Sequence, residues 1–209
     1  MTATPIDLST WDRTETFRWF RAYAQPHYGT TCRVDVTRLM TVNKPQGVSP
    51  YIGCLYAIGH GLLAVPQLRT RFRGDTVVQH DTIALSFTVP RDSGGFAYSL
   101  QPFDPDFATF DRATRNTIAT VRAKTGLNAT PDAGDGVAYL SCVPWLDFTA
   151  LDHPLPGPED CIPRVSWGKI VPKADGFDMA VNIYVHHALT DGEHLGQFYA
   201  ALQDRLNTL

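Results

Sequence analysis

Hydrophobic residues recur with two different periods along this chain, and the switching between them predicts both helices and strands. Phe17, Phe20 and Ala24 share one face of a helix over residues 10–24, and Ser9 with Asp12 three positions later fits a capping box at its start. Residues 30–38 follow the other rule: Cys32, Val34 and Val36 alternate with polar neighbours, which predicts a half-buried strand. Pro50 predicts the start of a second helix, because its fixed φ suits the first turn and Ser49 stands ready to cap it. Ile52, Leu55, Ile58 and Leu62 then run at helical spacing towards a stop before Pro66.

Short strand-like runs follow at 76–78 and 83–89. Asp104-Pro105 opens a third helix, with Phe107, Phe110, Ile118 and Val121 near one stripe. Residues 126–136 read as loop, and Val137–Val143 as a strand. From His153 to Pro163 the chain carries Pro154, Pro156, Gly157, Pro158 and Pro163, a density that forbids regular structure and predicts a rigid surface excursion. Residues 165–171 and 178–187 are strand-like, and a final helix over 192–207 turns Leu195, Phe198, Leu202 and Leu206 to a core. Helices and strands mix without a regular βαβ rhythm, so the expected fold is α/β, a mixed β-sheet with flanking helices. Neither a GxGxxG after a strand nor a GxxxxGK[ST] occurs, so nucleotide phosphates have no evident cradle.

Composition narrows the class. At 209 residues and 44% hydrophobic, the chain can bury a core of its own, and one domain over residues 1–209 is expected. Its 18 basic residues are outnumbered by 21 acidic ones, which gives no electrostatic reason to expect nucleic acid. No stretch approaches the roughly 20 apolar residues of a membrane span. Met1–Asp7 has neither the basic region nor the apolar run of a signal peptide, so a cytoplasmic protein is expected. Cys32, Cys54, Cys142 and Cys161 show no C-x-x-C spacing and read as small apolar residues in a reducing compartment.

The segment Met179–His194 carries the candidate chemistry. An almost wholly apolar strand ends in His186 and His187, and Asp191-Gly192 then makes a turn before the last helix. Side chains alternate across a strand, so the two histidines point opposite ways, one into a cleft and the other into the core. Three readings stand side by side on residue types alone. The first is a hydrogen-bonded core histidine. The second is a metal site from His186, His187, Asp191 and His194, against which the divergence of adjacent strand histidines argues. The third is a general base, the natural role for imidazole near neutral pH.

Motifs outside this segment bear on that choice. His-His-Ala-Leu-Thr-Asp-Gly (186–192) resembles the His-x-x-x-Asp-Gly signature of chloramphenicol acetyltransferases, which also marks dihydrolipoyl acyltransferase catalytic domains and the condensation domains of peptide synthetases. Ser141-Cys-Val-Pro-Trp-Leu-Asp-Phe-Thr149 is similar to the Ser-x-x-Pro-Trp-x-x-Phe-Thr segment of the chloramphenicol acetyltransferase family. Ile6-Asp7, Trp11-Asp-Arg13 and Phe17 resemble its N-terminal pattern, and Ser166-Trp-Gly168-Lys169 its hydroxyl-x-Gly-Lys segment. The four segments occur in the family's order and with similar spacing, so the resemblance covers most of the chain.

The resemblance implies acetyl transfer from acetyl-CoA, as co-substrate and with no metal, to a small-molecule hydroxyl. Chloramphenicol is the first acceptor it suggests, with antibiotic inactivation as the outcome. His187 would be the general base acting in a ternary complex, and Ser141 the donor to the oxyanion. Asp191 would pair with Arg13 to fix the turn, with His186 in support and His194 on the helix surface. Phe20, Pro26, Phe96, Leu151 and Ser166 would line the acceptor pocket, while Lys169 and Trp145 would serve the CoA. The resemblance also implies a homotrimer with each active site at a subunit interface, and neither nucleic acid nor membrane as a partner. Leu151, His153 and Arg164 depart from the family's residue types beside the acceptor, which leaves open a different alcohol or amine acceptor or another acyl-CoA. A ligand-binding homologue without catalysis is the alternative of another class.

Overall fold

The computed structural model describes residues 2–128 and 134–209. Along the chain run β1 (Ala3–Ile6), α1 (Thr14–Arg21), β2 (His27–Asp35), α2 (Pro50–Ala64), β3 (Thr70–Arg73), β4 (Thr76–His80), β5 (Ala84–Pro90), β6 (Phe96–Tyr98), β7 (Gln101–Pro102), α3 (Phe107–Arg122), β8 (Val137–Cys142), β9 (Arg164–Trp167), β10 (Val171–Lys173), β11 (Gly176–His186) and α4 (Gly192–Thr208). A π-helical turn, Leu39–Asn43, follows β2, and a 3-10 turn, Pro66–Arg69, follows α2.

The large sheet has the order β10-β11-β9-β8-β5-β6, with β2 on the other side of β11 and β7 against β5. The β5–β8 and β8–β9 pairs are parallel and the remainder antiparallel, which is the mixed sheet expected from the pattern. β1, β4 and β3 form a separate antiparallel sheet. α2, α3 and α4 cover one face of the large sheet, where Leu85, Phe87, Leu140, Val165, Val181 and Ile183 meet Ile58, Phe110 and Phe198. α2 passes closely under α4 because Gly61 has no Cβ, which would stand 2.8 Å from the Phe198 ring. By strand alternation the opposite face presents Ser141, Arg164, Ser166, Asn182, Tyr184 and His186.

The second hydrophobic cluster positions the candidate site. Phe17 of α1, Phe72 of β3, Val77 of β4 and Cys161 pack with Ala188 and Leu189, just beyond the end of β11. This clamps α1 and the small sheet onto the turn that carries His187.

Several boundaries differ from the sequence reading, each for a local reason. α1 starts at Thr14, not at residue 10, because the Ser9 amide and hydroxyl turn back onto Asp7 while the Thr14 hydroxyl donates to the Leu8 carbonyl. β2 begins at His27, not 30, because it follows β11 in register from Asp35↔Asp178 to His27↔His186. α3 begins at Phe107, with Asp106 accepting from the Thr109 amide, so Asp104-Pro105 precedes the helix. Ser49 precedes α2 without a side-chain capping bond. The 153–163 segment is irregular but not wholly superficial, since Cys161 is buried and the Pro158 and Asp160 carbonyls bind ring nitrogens of His186 and His27. Part of the expected 126–136 loop, residues 129–133, lies outside the described residues. Among the described residues no helix is long and apolar enough to cross a membrane.

Candidate active site

The apolar run of β11 ends in two histidines with separate surroundings. His186 is buried, its Nε2 donating to the Pro158 carbonyl at 3.0 Å and its Nδ1 accepting from the Ala188 amide at 3.1 Å. Those two bonds fix one neutral tautomer. Burial, reinforced by the neighbouring His27, pushes its pKa down to about 4. His187 faces elsewhere. Its ring stacks on Phe20 at 3.8 Å between centroids with planes 6° apart, and tilts against Tyr28 at 4.6 Å. Its side chain stays 33% exposed, so the imidazole is held between aromatic rings yet reaches solvent.

The main chain around His187 is held from both sides. Its amide donates to the carbonyl of buried Pro26 at 2.9 Å. Arg13, itself buried, donates from Nη2 to the His187 carbonyl at 2.8 Å and from Nε to the Ala188 carbonyl at 2.8 Å. The same guanidinium makes a bidentate pair with Asp191, with Nη2 to Oδ1 at 2.6 Å and Nη1 to Oδ2. That geometry is the strong form of a charge-assisted bond, and it holds the Asp191 carboxyl below the usual carboxylate range. Asp191 Oδ1 also lies 3.3 Å from His187 Nδ1 but outside hydrogen-bonding geometry, which leaves that buried nitrogen without a partner among the described residues. Burial and the Asp191 charge together push the Tyr28 hydroxyl up to about 12.

Asp191 also caps α4, and His194 Nδ1 accepts from the Asp191 amide at 2.9 Å. His194 is thus half-buried and engaged in a capping box, rather than a free helix-surface residue. With His186 committed to two backbone groups and His194 to a third, these side chains do not converge on a metal. Among the described residues no group of three or more metal-binding side chains comes together.

A second constellation lies across the sheet. Ser141, Ser166 and Asn182 are register neighbours on β8, β9 and β11. Ser166 and Asn182 are almost fully buried, and Ser166 Oγ lies 3.4 Å from His153 Nε2. Burial and Arg164 push His153 down to about 4. Arg164 is itself buried, paired with Asp160 at 2.5 Å and set over the Tyr139 ring, so its charge is spent within the fold rather than turned to a ligand. Leu151 is half-buried in the loop before β9, and Phe96 lies exposed on β6 opposite Pro90.

Trp145 and Lys169 share a third region. The Lys169 amide donates to the Leu146 carbonyl at 2.7 Å, and Gly168 admits that contact because a Cβ there would stand 2.6 Å from the same oxygen. Trp145 is 78% exposed and Lys169 is exposed as well, on two segments that this backbone contact joins.

Within one chain the fold joins His187, Phe20, Pro26, Arg13 and Asp191, but not Ser141. Two strand spacings separate Ser141 from Asn182, about 10 Å, and His187 lies about 16 Å further along β11, so the two are roughly 19 Å apart. Tyr28, His27 and Asn182 were not singled out by the sequence. Asn182 does carry a signal, as the one amide inside the apolar run 179–185. Tyr28 and His27 carry none, because their place depends on the β2–β11 register.

Comparison with known proteins agrees with this architecture. Residues 1–203 match the protein family described as chloramphenicol acetyltransferase. The chain is 26% identical over 205 residues to chloramphenicol acetyltransferase 2 of Escherichia coli, covering 97% of this chain and 96% of that protein. It is 27% identical over 202 residues to the chloramphenicol acetyltransferase of Clostridioides difficile, covering 95% and 93%. A solved chloramphenicol acetyltransferase superposes with a TM-score of 0.92 at 27% identity, covering 98% of this chain and all of the other. A probable dihydrolipoamide acetyltransferase from Listeria monocytogenes shares the fold at a TM-score of 0.67 and 15% identity, over 98% of this chain and 93% of its own. The chain therefore belongs to the chloramphenicol acetyltransferase family and is an acyltransferase.

Proposed function

We propose that this protein transfers the acetyl group of acetyl-CoA to a hydroxyl of a small molecule, with chloramphenicol as the first acceptor to test and antibiotic inactivation as the consequence. The observation that carries this reading is the clamped turn at His187: a partly exposed imidazole on a main chain that Arg13, Pro26 and the His186 ring hold fixed. A base held in this way needs no reorganisation when it takes a proton.

His187 accepts the proton of the acceptor hydroxyl as that oxygen attacks the thioester carbonyl. Ser141 donates to the oxyanion that develops there, and His187 returns the proton as the CoA thiolate leaves. Both substrates are bound together and no acyl-enzyme forms. Phe20, Pro26, Phe96, Leu151 and Ser166 line the acceptor side. Trp145 and Lys169 suit the CoA, since an exposed indole can stack on a base and a cation can meet phosphate. The separation of Ser141 from His187 within one chain supports a homotrimer in which each site takes His187 from one subunit and Ser141 from its neighbour.

A second reading keeps the chemistry and changes the acceptor to another alcohol or amine, or the donor to a longer acyl-CoA; the polar cluster at His153 favours it. A ligand-binding protein without catalysis has no use for the Arg13 clamp together with Ser141. The deciding experiment is release of free CoA thiol from acetyl-CoA with and without chloramphenicol, for the wild type and His187→Ala. Chloramphenicol-dependent release that disappears in the variant is the expected result. Release that survives in the variant removes His187 as the base, and no release by the wild type removes chloramphenicol as the acceptor.

A further inference from the structure

We propose that Tyr28 is a positioning residue for His187: its ring, anchored through the hydroxyl to the turn that carries the base, stops the imidazole from sliding out of line. This rests on the reading of His187 as the base and adds a residue that acts through it.

The orientation of this imidazole needs a cause. A catalytic histidine is commonly oriented by a hydrogen bond at the ring nitrogen that does not take the proton. Here Nδ1 is buried with no partner among the described residues, and Asp191 Oδ1, 3.3 Å away, is outside hydrogen-bonding geometry. Aromatic contacts are what remain. Phe20 lies parallel to the imidazole, with planes 6° apart and centroids 3.8 Å apart. A parallel neighbour fixes the plane of a ring but lets it slide within that plane. Tyr28 meets the imidazole at 39° with centroids 4.6 Å apart, and an inclined ring blocks such sliding.

Tyr28 is itself held at both ends. On β2 it stands opposite Val185, two residues before His187, and it packs against the main core. At the far end its hydroxyl donates to the Thr190 carbonyl at 3.2 Å. Thr190 closes the same turn, its amide donating to the His186 carbonyl at 3.2 Å. One side chain therefore spans the turn from Val185 to Thr190 and leans on the imidazole between them. Burial and the Asp191 charge keep the phenol protonated, so its hydroxyl stays a donor. Phe20 has no polar atom with which to make such an anchor. Placement matters at this scale, since a misplacement of about 1 Å can cost on the order of 10²-fold in rate. Positioning of a base acts on the chemical step, so its loss falls on kcat rather than on KM.

Two variants test this. Tyr28→Phe keeps the ring and removes only the anchor, whereas Tyr28→Leu removes the ring as well. Thiol release with acetyl-CoA and chloramphenicol is expected to show kcat lowered about fivefold in the first and on the order of 10²-fold in the second, with both KM values kept. The second readout is the ring ¹³Cε1 signal of His187 in histidine-labelled protein, identified by its absence from His187→Ala. Tyr28→Phe retains the aromatic ring current, so a broadened or doubled signal there reports a loosened imidazole and is the expected result. A kcat within twofold of wild type in Tyr28→Phe, or a loss carried in KM alone, overturns the assignment. If Tyr28→Leu does not fold, Tyr28→Phe decides alone. No thiol release by the wild type with chloramphenicol, or release that survives in His187→Ala, removes the acceptor or the base from the reading above. The ring signal then judges Tyr28 by itself: broadening in Tyr28→Phe supports the proposal and an unchanged signal overturns it.

Discussion

Arg13, just before α1, and Asp191, at the N-cap of α4, form a bidentate pair across 178 positions of sequence. The guanidinium that makes this pair also binds the carbonyls of His187 and Ala188. One side chain therefore ties the first helix, the last helix and the turn between β11 and α4 into a single unit. Its five donors in a rigid fork suit that task, whereas an ammonium has no such fork.

Arg13→Ala is expected to lower both stability and turnover. Removing Arg13 leaves the Asp191 carboxylate without its cation, a loss that solvent tempers because Asp191 is 39% exposed, while the His187 and Ala188 carbonyls lose their donors, at roughly 1–3 kcal/mol for a group left unsatisfied. Denaturant titration and thiol release on the same preparation check this. Reduced stability with unchanged turnover per folded molecule limits the pair to a scaffolding role.

His187→Ala is expected to abolish acetyl transfer and leave the fold intact. The ring is 33% exposed and its main contacts are with Phe20 and Tyr28, so its loss opens the surface rather than the core. Circular dichroism and a thermal scan measure the fold, and thiol release measures the chemistry. Substantial turnover in a well-folded variant rules His187 out as the base.

Acid is expected to destabilise the protein through His186. Its folded pKa of about 4 lies below the ordinary 6.5, so between these values the unfolded chain binds a proton that the native site refuses. Its contribution is complete above pH 6.5, declines as pH falls towards 4, and reaches a floor below that, for a total of roughly 3 kcal/mol. A proton on Nδ1 would face the Ala188 amide that now donates to it. His60 and His153, also near 4, act in the same sense. The ΔG of unfolding measured across this window should have a shallower slope in His186→Asn. An unchanged slope assigns the acid sensitivity to other groups.

The sequence made the long elements legible because their patterns are local. The stripe of Ile52, Leu55, Ile58 and Leu62 is enough to define α2, and Pro50 and Pro66 bracket it. The His187 turn was legible for the same reason: its histidines, Asp191 and Gly192 are neighbours in sequence. β1, β3, β6 and β10 are three or four residues long, too short to show a period, and owe their existence to pairing with distant strands. The link between His153 and Ser166 was equally hidden, since a Pro-rich loop shows nothing in sequence of what its side chains touch. Arg164 reads as a charge beside the acceptor until the fold shows Asp160 four residues away neutralising it.

Ser141 and His187 provide the strictest test of the proposed site, because the register puts them roughly 19 Å apart in one chain and a shared reacting atom needs both within about 3 Å. A site that uses both must draw them from two copies. Ser141→Ala alone is expected to reduce kcat by about 10²–10³ with little change in KM, the usual cost of losing an oxyanion donor. Inactive Ser141→Ala and His187→Ala chains, refolded together, should recover turnover, because some interfaces then pair an intact Ser141 with an intact His187. Sedimentation of the wild type should show a trimer at the concentrations where it is active. A fully active monomer, or mixed variants that stay as inactive as each alone, excludes the interfacial site. Ser141 would then have no part in the reaction, since no motion short of unpairing β8, β9 and β11 brings it to His187.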